Sequence, residues 1–364
     1  MGAKLGLVGL PNVGKSTLFN ALTANHAAVA PYPFTTKEPN VGVAQVADPR
    51  LEALAKLLSP DRVVPTHVEF VDIAGLVKGA HQGEGLGNQF LSHIFGVDAL
   101  LYVVRCFEAE DIAHPMGHVD PVRDVEVIDT ELMLKDLEVL DRRKVKEQKL
   151  AKGGDKHAAA LVERIERWAA ALSGGTPLRR MPLTPEEHPK ASGIDLLTEK
   201  PVLYAANVGE ETLGSSSDGA AQLQALAQRE NAQWIVMCAK LEAELMELEP
   251  ADRATMMREL NLSESALPLV VQRGYALLRL ITFFTTVSRI LQAWTVPHGT
   301  RAPQAAGTIH TDFERKFIRA EVTPVDDLLR CGGEAAARSQ GLLRLEGKEY
   351  VVRDGDVITF RVGR

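Results

Sequence analysis

Eight residues near the start of the chain, Gly9-Leu-Pro-Asn-Val-Gly14-Lys15-Ser16, fill all four fixed positions of the pattern G-x-x-x-x-G-K-S. Each residue type has a task there. Glycines at 9 and 14 let the main chain wrap closely around a row of phosphates and turn its N–H groups inward, and a helix beginning at this point adds positive potential. Lys15 supplies a mobile cation for the outer phosphates, and the Ser16 hydroxyl is a hard ligand for Mg2+. Asn12, Val13, Gly14, Lys15, Ser16 and Thr17 are the residues that would line this cradle. The flanks separate a site from a chance glycine turn: an apolar strand pattern over residues 5–8 precedes it, and a helical pattern over residues 17–22 follows.

Further along, Asp72-Ile-Ala-Gly75 closes another apolar run. Asp72 offers a carboxylate to the metal, directly or through water, and the Gly75 N–H can meet a γ-phosphate and act as a switch pivot in catalysis. Thr35 and Thr36 both offer a hydroxyl that could close over the metal; Thr36 is favoured. Residues 79–87 hold four glycines in nine and are expected to be mobile until something orders them. Asn207-Val208-Gly209-Glu210 forms N-x-x-E where guanine-selective enzymes of this general kind carry N-K-x-D. An Asp there accepts from guanine N1–H and N2–H2, whereas the longer Glu without the Lys disturbs that clamp, and the Asn207 amide can pair with adenine N6 and N7. ATP is therefore favoured, with GTP as the alternative. Cys238 and Ala239 follow the next strand, where a main-chain N–H would touch the base. Leu76 stands where many GTPases orient water with glutamine, so unassisted turnover should be slow. Asn12 is a candidate ligand for a monovalent cation such as K+. His114 is a candidate water-orienting group, although a lone loop histidine is more often a solvated surface residue.

The elements that must position these residues read as a parallel α/β sheet. Strand candidates at residues 5–8, 68–72, 100–104, 202–207 and 234–238 end in polar or glycine residues, and ligands of such sheets bind beyond the strands' carboxyl ends. From residue 129 to about 172 the pattern becomes long, charged and helical around Gly153-Gly154, an antiparallel helical hairpin inserted in the sheet. The segment 173–201, with five prolines, returns the chain to the sheet. After a helical run from 266 to about 279, strand-like stretches at 309–313, 317–322, 350–356 and 357–362 suggest a small mixed β domain, with Arg353-Asp-Gly-Asp as a hairpin turn.

Composition narrows the class. The 364 residues suggest two or three domains, 45% hydrophobic and 24% charged residues exclude a disordered chain, and the absence of an 18-residue apolar run excludes a membrane span. Three scattered cysteines fit a reducing compartment, and the opening residues lack a signal-peptide layout, so a cytoplasmic location is expected. The net charge of −7 hides two basic lobes: residues 131–180 carry 12 basic and 8 acidic side chains, and residues 281–364 carry 12 and 10. Such lobes can meet RNA, although ordinary solvated helices reach the same balance. Arg142, Arg143, Lys144 and Lys146 are the candidate contacts.

The runs GLPNVGKSTLFNALT, YPFTT, DIAGLVKGA, GEGLGNQFL, RCFE, HVDPVRD, N-x-x-E and APQAAGTIHTDFERKFIRAEV together resemble the YchF subfamily of Obg-type P-loop NTPases, over nearly the whole chain. The resemblance implies a G domain at 1–128 and 200–280, a helical hairpin domain at 129–199, and a C-terminal TGS domain of β-grasp fold at 281–364. It also implies an ATPase that accepts GTP, with a hydrophobic residue replacing the catalytic glutamine and His114 at the position that assists hydrolysis. Association with the ribosome, through its large subunit and RNA, and a monomeric state are further expectations. Cys238 and Gly209 depart from the family pattern and bear on base selectivity.

Overall fold

In the computed structural model of the chain, residues 3–23, 40–73, 93–213 and 217–363 are described. Thr35, Thr36, Gly75, Leu76 and the stretch 79–87 lie outside them. In chain order the strands are β1 (Lys4–Val8), β2 (Val41–Gln45), β3 (Arg62–Val64), β4 (His67–Asp72), β5 (Ala99–Arg105), β6 (Val202–Asn207), β7 (Gln233–Met237), β8 (Leu280–Val287), β9 (Ile290–Pro297), β10 (Phe317–Pro324), β11 (Arg344–Glu346) and β12 (Asp356–Val362). The α-helices are α1 (Lys15–Thr23), α2 (Pro49–Leu58), α3 (Pro121–Lys152), α4 (Lys156–Ser173), α5 (Asp218–Arg229), α6 (Ala239–Glu247), α7 (Pro250–Glu259), α8 (Ala266–Leu277), α9 (Ala302–Ile309), α10 (Thr311–Arg315), α11 (Val325–Cys331) and α12 (Glu334–Ser339). None of the described helices is long and apolar enough to cross a membrane.

The chain forms two compact units, one of Ala3–Gly42 and Glu69–Val270, the other of Met1–Gly2, Val43–Val68 and Val271–Arg364. In the first, the sheet runs β2-β4-β1-β5-β6-β7, with β4, β1, β5, β6 and β7 mutually parallel. Every residue of β5 and β6 is buried, so their unbroken apolar runs are those of strands covered on both faces. The five strands expected around the site are present.

The hairpin consists of α3 and α4. It begins at Pro121, eight residues before the expected 129, because Asp120 caps the helix by accepting from Arg123 N at 3.1 Å, and proline suits the first helical position. Gly154, at φ 95°, turns the chain, and Asp155 caps α4 through His157 N and Ala158 N. Leu140, Leu161, Ile165, Trp168 and Leu172 fill the seam. At the root, Asp129 of α3 accepts from the Tyr102 hydroxyl, Arg179 and Arg180, while Glu230 accepts from the Tyr204 hydroxyl and Arg180. Two guanidinium groups face two carboxylates, and burial raises the pKa of both tyrosines. The hairpin is thus fastened to β5 and β6 by a charge-balanced network, and it belongs to the same compact unit as the sheet.

The second unit holds a mixed sheet, β11-β10-β12-β8-β9-β3, over cores that include Phe283, Val296, Ala305 and Ile358, and Leu54, Phe284 and Leu328. By their contacts α2 and β3 group with this unit: Leu51 and Leu54 of α2 share a core with Phe284, Leu291 and Leu328, and β3 pairs with β9. The C-terminal part of this compact unit begins at Val271, within α8. Two expected strands are corrected. Residue 309 ends α9 and residues 311–313 open α10, with His310 extended between them and its side chain capping α10 by accepting from Asp312 N at 3.2 Å. Residues 350–355 hold only a bridge at Val351, and the Arg353-Asp-Gly-Asp turn leads into β12 at Asp356 without joining a hairpin.

Candidate functional site

The end of β1 delivers the G-x-x-x-x-G-K-S segment against the carboxyl ends of β5 and β6. A Cβ on Gly9 would lie 2.7 Å from the Val103 carbonyl oxygen and 2.8 Å from Val13 Cγ2, so only glycine passes β5 there. Asn12 and Gly14 adopt left-handed φ values of 64° and 87°. A side chain on Gly14 would be strained and would collide with Asn207 Nδ2. These two turns swing the loop round into α1, whose first intrahelical bond, Leu18 N to Gly14 O, is 3.0 Å. The N–H groups of its first turn have no helical partner and face outward as donors for an anion. Ser16 and Thr17 are exposed there, whereas Lys15 is 8% exposed.

Lys15 Nζ is ion-paired with Asp72 Oδ1, and Ser16 Oγ donates to Asp72 Oδ2 at 3.1 Å. The strand alignment causes this meeting, since β1 and β4 are parallel with Leu7 beside Asp72. An ammonium, a hydroxyl and a carboxylate therefore converge at the mouth of the loop. The chemistry of such a set is phosphate capture and coordination of a hard cation.

Asn207 ties two parts of the site together. Its side chain is buried: Nδ2 donates to the Val13 carbonyl at 2.8 Å and Oδ1 accepts from Ala239 N at 2.8 Å. One donor and one lone pair of this amide hold the phosphate loop against the start of α6, and its second N–H and second lone pair remain for a base. Val208 is buried, its N–H bonded to Met237 O at 2.9 Å, and Glu210 is exposed. Cys238 caps α6 from a buried position, with its thiol pKa raised by burial.

His114 is placed otherwise than a solvated loop residue or a group facing water. Its side chain is 3% exposed. Nδ1 accepts from Met116 N at 3.1 Å, which leaves the proton on Nε2, and Nε2 donates to Asp124 Oδ2 at 2.9 Å. Both ring nitrogens are engaged. Asp124 lies in the first turn of α3, so the ring is tied to the foot of the hairpin. The preceding residue is tied to the phosphate loop, with Asn12 Nδ2 donating to the Ala113 carbonyl at 3.0 Å. Arg105 is a residue of this region that the sequence did not single out; it is buried beneath the loop following β5.

Comparison with known proteins sets this geometry in a family. A profile described as "50S ribosome-binding GTPase" matches residues 4–144, and the YchF GTPase C-terminal profile, described as a protein of unknown function, matches residues 280–363. The chain is 48% identical over 363 residues to the "Ribosome-binding ATPase YchF" of Bacillus subtilis (strain 168), covering 99% of both chains. The chain belongs to the YchF family. The Escherichia coli O157:H7 protein of the same name is 48% identical over 360 residues, again across 99% of each chain. Among solved structures, the Schizosaccharomyces pombe YchF GTPase superposes with a TM-score of 0.89 at 35% identity, covering 99% of this chain and 98% of that one. The fold of this YchF-family chain is thus a P-loop GTPase-type α/β domain accompanied by a second sheet domain.

Proposed function

We propose that the chain is a P-loop NTPase that binds ATP in preference to GTP, hydrolyses it slowly, and associates with the ribosome. The observation that carries this is the convergence of Lys15, Ser16 and Asp72 at the N-terminus of α1 behind a glycine-shaped loop. The relatives named ribosome-binding ATPases across 99% of the chain support the same reading. Preference for ATP rests on the altered N-x-x-E segment, in which Glu210 is exposed and no lysine follows Asn207. As a cross-brace, Asn207 serves both nucleotides alike.

The oxygen donors fit Mg2+: Ser16 Oγ and Asp72 Oδ2 are hard ligands 3.1 Å apart beside the phosphate cradle. Ser16 would hold the ion directly, Asp72 directly or through water, with Thr36 as third expected ligand. When bound, the ion neutralises charge on the outer phosphates. Lys15 exchanges Asp72 for a phosphate oxygen, the N–H groups of the first turn of α1 orient the phosphate chain, and Gly75 is the expected donor to the γ-phosphate. The Asn12 side-chain oxygen is the candidate ligand for K+.

His114 can orient an attacking water only after leaving Asp124 and Met116 N, which accounts for slow unassisted turnover. The same engagement favours a second reading, a nucleotide-dependent adaptor that does not hydrolyse. Competing ATP against GTP in equilibrium binding, then following single turnover with and without K+ and ribosomes, tests both. Equal or reversed base preference overturns the first reading, and ADP formation overturns the second.

For the ribosome, the contact proposed is the basic side of the hairpin, meeting RNA of the large subunit, with the C-terminal unit as a second lobe. Arg142, Lys146 and Lys149 recur at helical spacing on an exposed face of α3, with Lys152 and Lys156 beyond them. The chain is proposed to act in the cytoplasm as a monomer.

A further inference from the structure

Arg105, the last residue of β5, is 1% exposed, yet among the described residues no carboxylate stands within ion-pair distance of it. An unpaired buried cation is costly, and leucine or valine would serve the strand as Leu100, Val103 and Val104 do. The guanidinium meets main-chain carbonyls instead. Its Nε donates to Phe107 O at 3.0 Å, Nη1 to Ile112 O at 3.0 Å and Nη2 to Ala109 O at 3.5 Å, while its carbon lies 4.5 Å from the centre of the Phe107 ring. All three acceptors belong to residues 107–113. Apart from a turn at Glu110-Asp111, this loop makes no backbone–backbone hydrogen bond among the described residues, so the side chain of Arg105 stands in for the ladder the loop lacks.

The far end of that loop touches the phosphate cradle. The Ala113 carbonyl accepts from Asn12 Nδ2 at 3.0 Å, and Asn12 is the residue that holds φ 64° immediately before Val13 and Gly14. Moving the Ala113 carbonyl removes the side-chain bond that steadies this left-handed turn.

We infer that Arg105 is a positioning residue of the nucleotide site: it shapes residues 107–113 from below and, through the bond between Ala113 and Asn12, holds the phosphate loop in its binding conformation. The inference rests on the nucleotide-binding reading above. Its role is distinct from that of Lys15, because Arg105 touches no ligand and acts through a main-chain carbonyl.

The test is a double-mutant cycle in the full-length chain, read as affinity for a fluorescent ATP analogue with Mg2+ alongside the melting temperature. Arg105→Met keeps the length of the side chain and removes the donors; affinity is expected to fall about tenfold, with Arg105→Lys in between. Asn12→Ala cuts the link at its other end. In the Asn12→Ala background, Arg105→Met should weaken binding by no more than about twofold, because the route it uses is already broken. Equal factors in both backgrounds, or no loss in either, overturn the inference. Should Arg105→Met not fold, Arg105→Lys runs the same cycle. A wild-type chain that captures GTP and not ATP defeats the ATP reading and leaves the cycle to be run with GTP.

Discussion

Lys15 and Asp72 hold each other across the mouth of the phosphate loop, ammonium to carboxylate, with Ser16 donating to the second carboxylate oxygen. The pair lies largely out of water, so neither charge is idle. For Lys15 to reach a phosphate it must leave Asp72, and Asp72 then needs another cation, which the proposed Mg2+ would provide. Nucleotide and metal should therefore bind cooperatively, through the same two side chains.

Removing each partner separates their roles. Lys15→Ala is expected to weaken ATP binding about a hundredfold, roughly 2.7 kcal/mol. Asp72→Asn releases Lys15, so without Mg2+ the variant should bind ATP at least as tightly as wild type. Added Mg2+ should tighten wild type about tenfold more than the variant, the scale of one lost charge-assisted contact. Titrations of a fluorescent ATP analogue in EDTA and in Mg2+ supply all the values. Unchanged capture by Lys15→Ala would remove the basis of the nucleotide reading.

Asn207 gives a prediction from the two bonds it makes. Replacing it with alanine leaves the Val13 carbonyl and the Ala239 N–H without partners in a buried place, a cost of about 3 kcal/mol in unfolding free energy. If bracing the loop is the main task of the amide, ATP and GTP affinities should fall together and keep their ratio within about twofold. Glu210→Asp, at the exposed end of the segment, should shift that ratio toward GTP. A loss confined to ATP in Asn207→Ala would return Asn207 to the base.

The hairpin carries a carboxyl with its own pH signature. Asp136 of α3 is fully buried and accepts from Leu197 N, Thr198 N and Thr198 Oγ at 2.6–2.8 Å. Burial pushes its pKa up from 3.8 to about 6, against those hydrogen bonds and the nearby Lys200. The folded chain then binds more protons than the unfolded one between about pH 4 and 6, so this group's contribution is full below pH 4 and is lost as pH rises through 6. Urea unfolding of wild type and Asp136→Asn across pH 4 to 7.5 isolates it. The wild type's advantage over the variant should shrink by about 3 kcal/mol over that window, and a constant difference would contradict the shift.

The parts of the site legible in the sequence are those set by local spacing. Gly9, Gly14, Lys15 and Ser16 lie within eight residues, and Asp72 ends an apolar run, so their meeting follows once β1 and β4 are parallel neighbours. Partnerships across long separations were not legible. Asn207 reaches Val13 across 194 residues, and nothing in N-x-x-E says which way its amide faces. Arg105 looked like an ordinary polar residue closing a strand, because its acceptors are main-chain carbonyls and leave no side-chain pattern. In the second unit the β8–β9 hairpin escaped notice because Ser288-Arg289 makes the two-residue turn at φ 52° and 60° without the usual Gly or Asn. Helix α2 was assigned by its order in the chain, whereas it buries Leu51 and Leu54 against Phe284 and Leu291.

The basic lobe of the hairpin can be tested with a sharper set of residues than the charge count suggested. Arg143 is paired with Glu147 and Lys144 with Glu166, so their charges are already met within the hairpin. Arg142, Lys146, Lys149 and Lys152 are exposed, and no ion pair is found for them among the described residues. Changing these four to glutamine removes the cations available to phosphates and leaves the buried seam of Leu140, Leu161 and Trp168 intact. Ribosome affinity measured against salt should lose roughly three units of slope in log K against log salt, since each phosphate contact contributes about 0.7–0.9. ATP affinity should be unaltered, because among the described residues no hydrogen bond or ion pair is found between any of the four and Lys15 or Asp72. If Arg143 and Lys144 changed to glutamine weakened ribosome binding as much, paired and unpaired charges would count alike and this surface would be the wrong one.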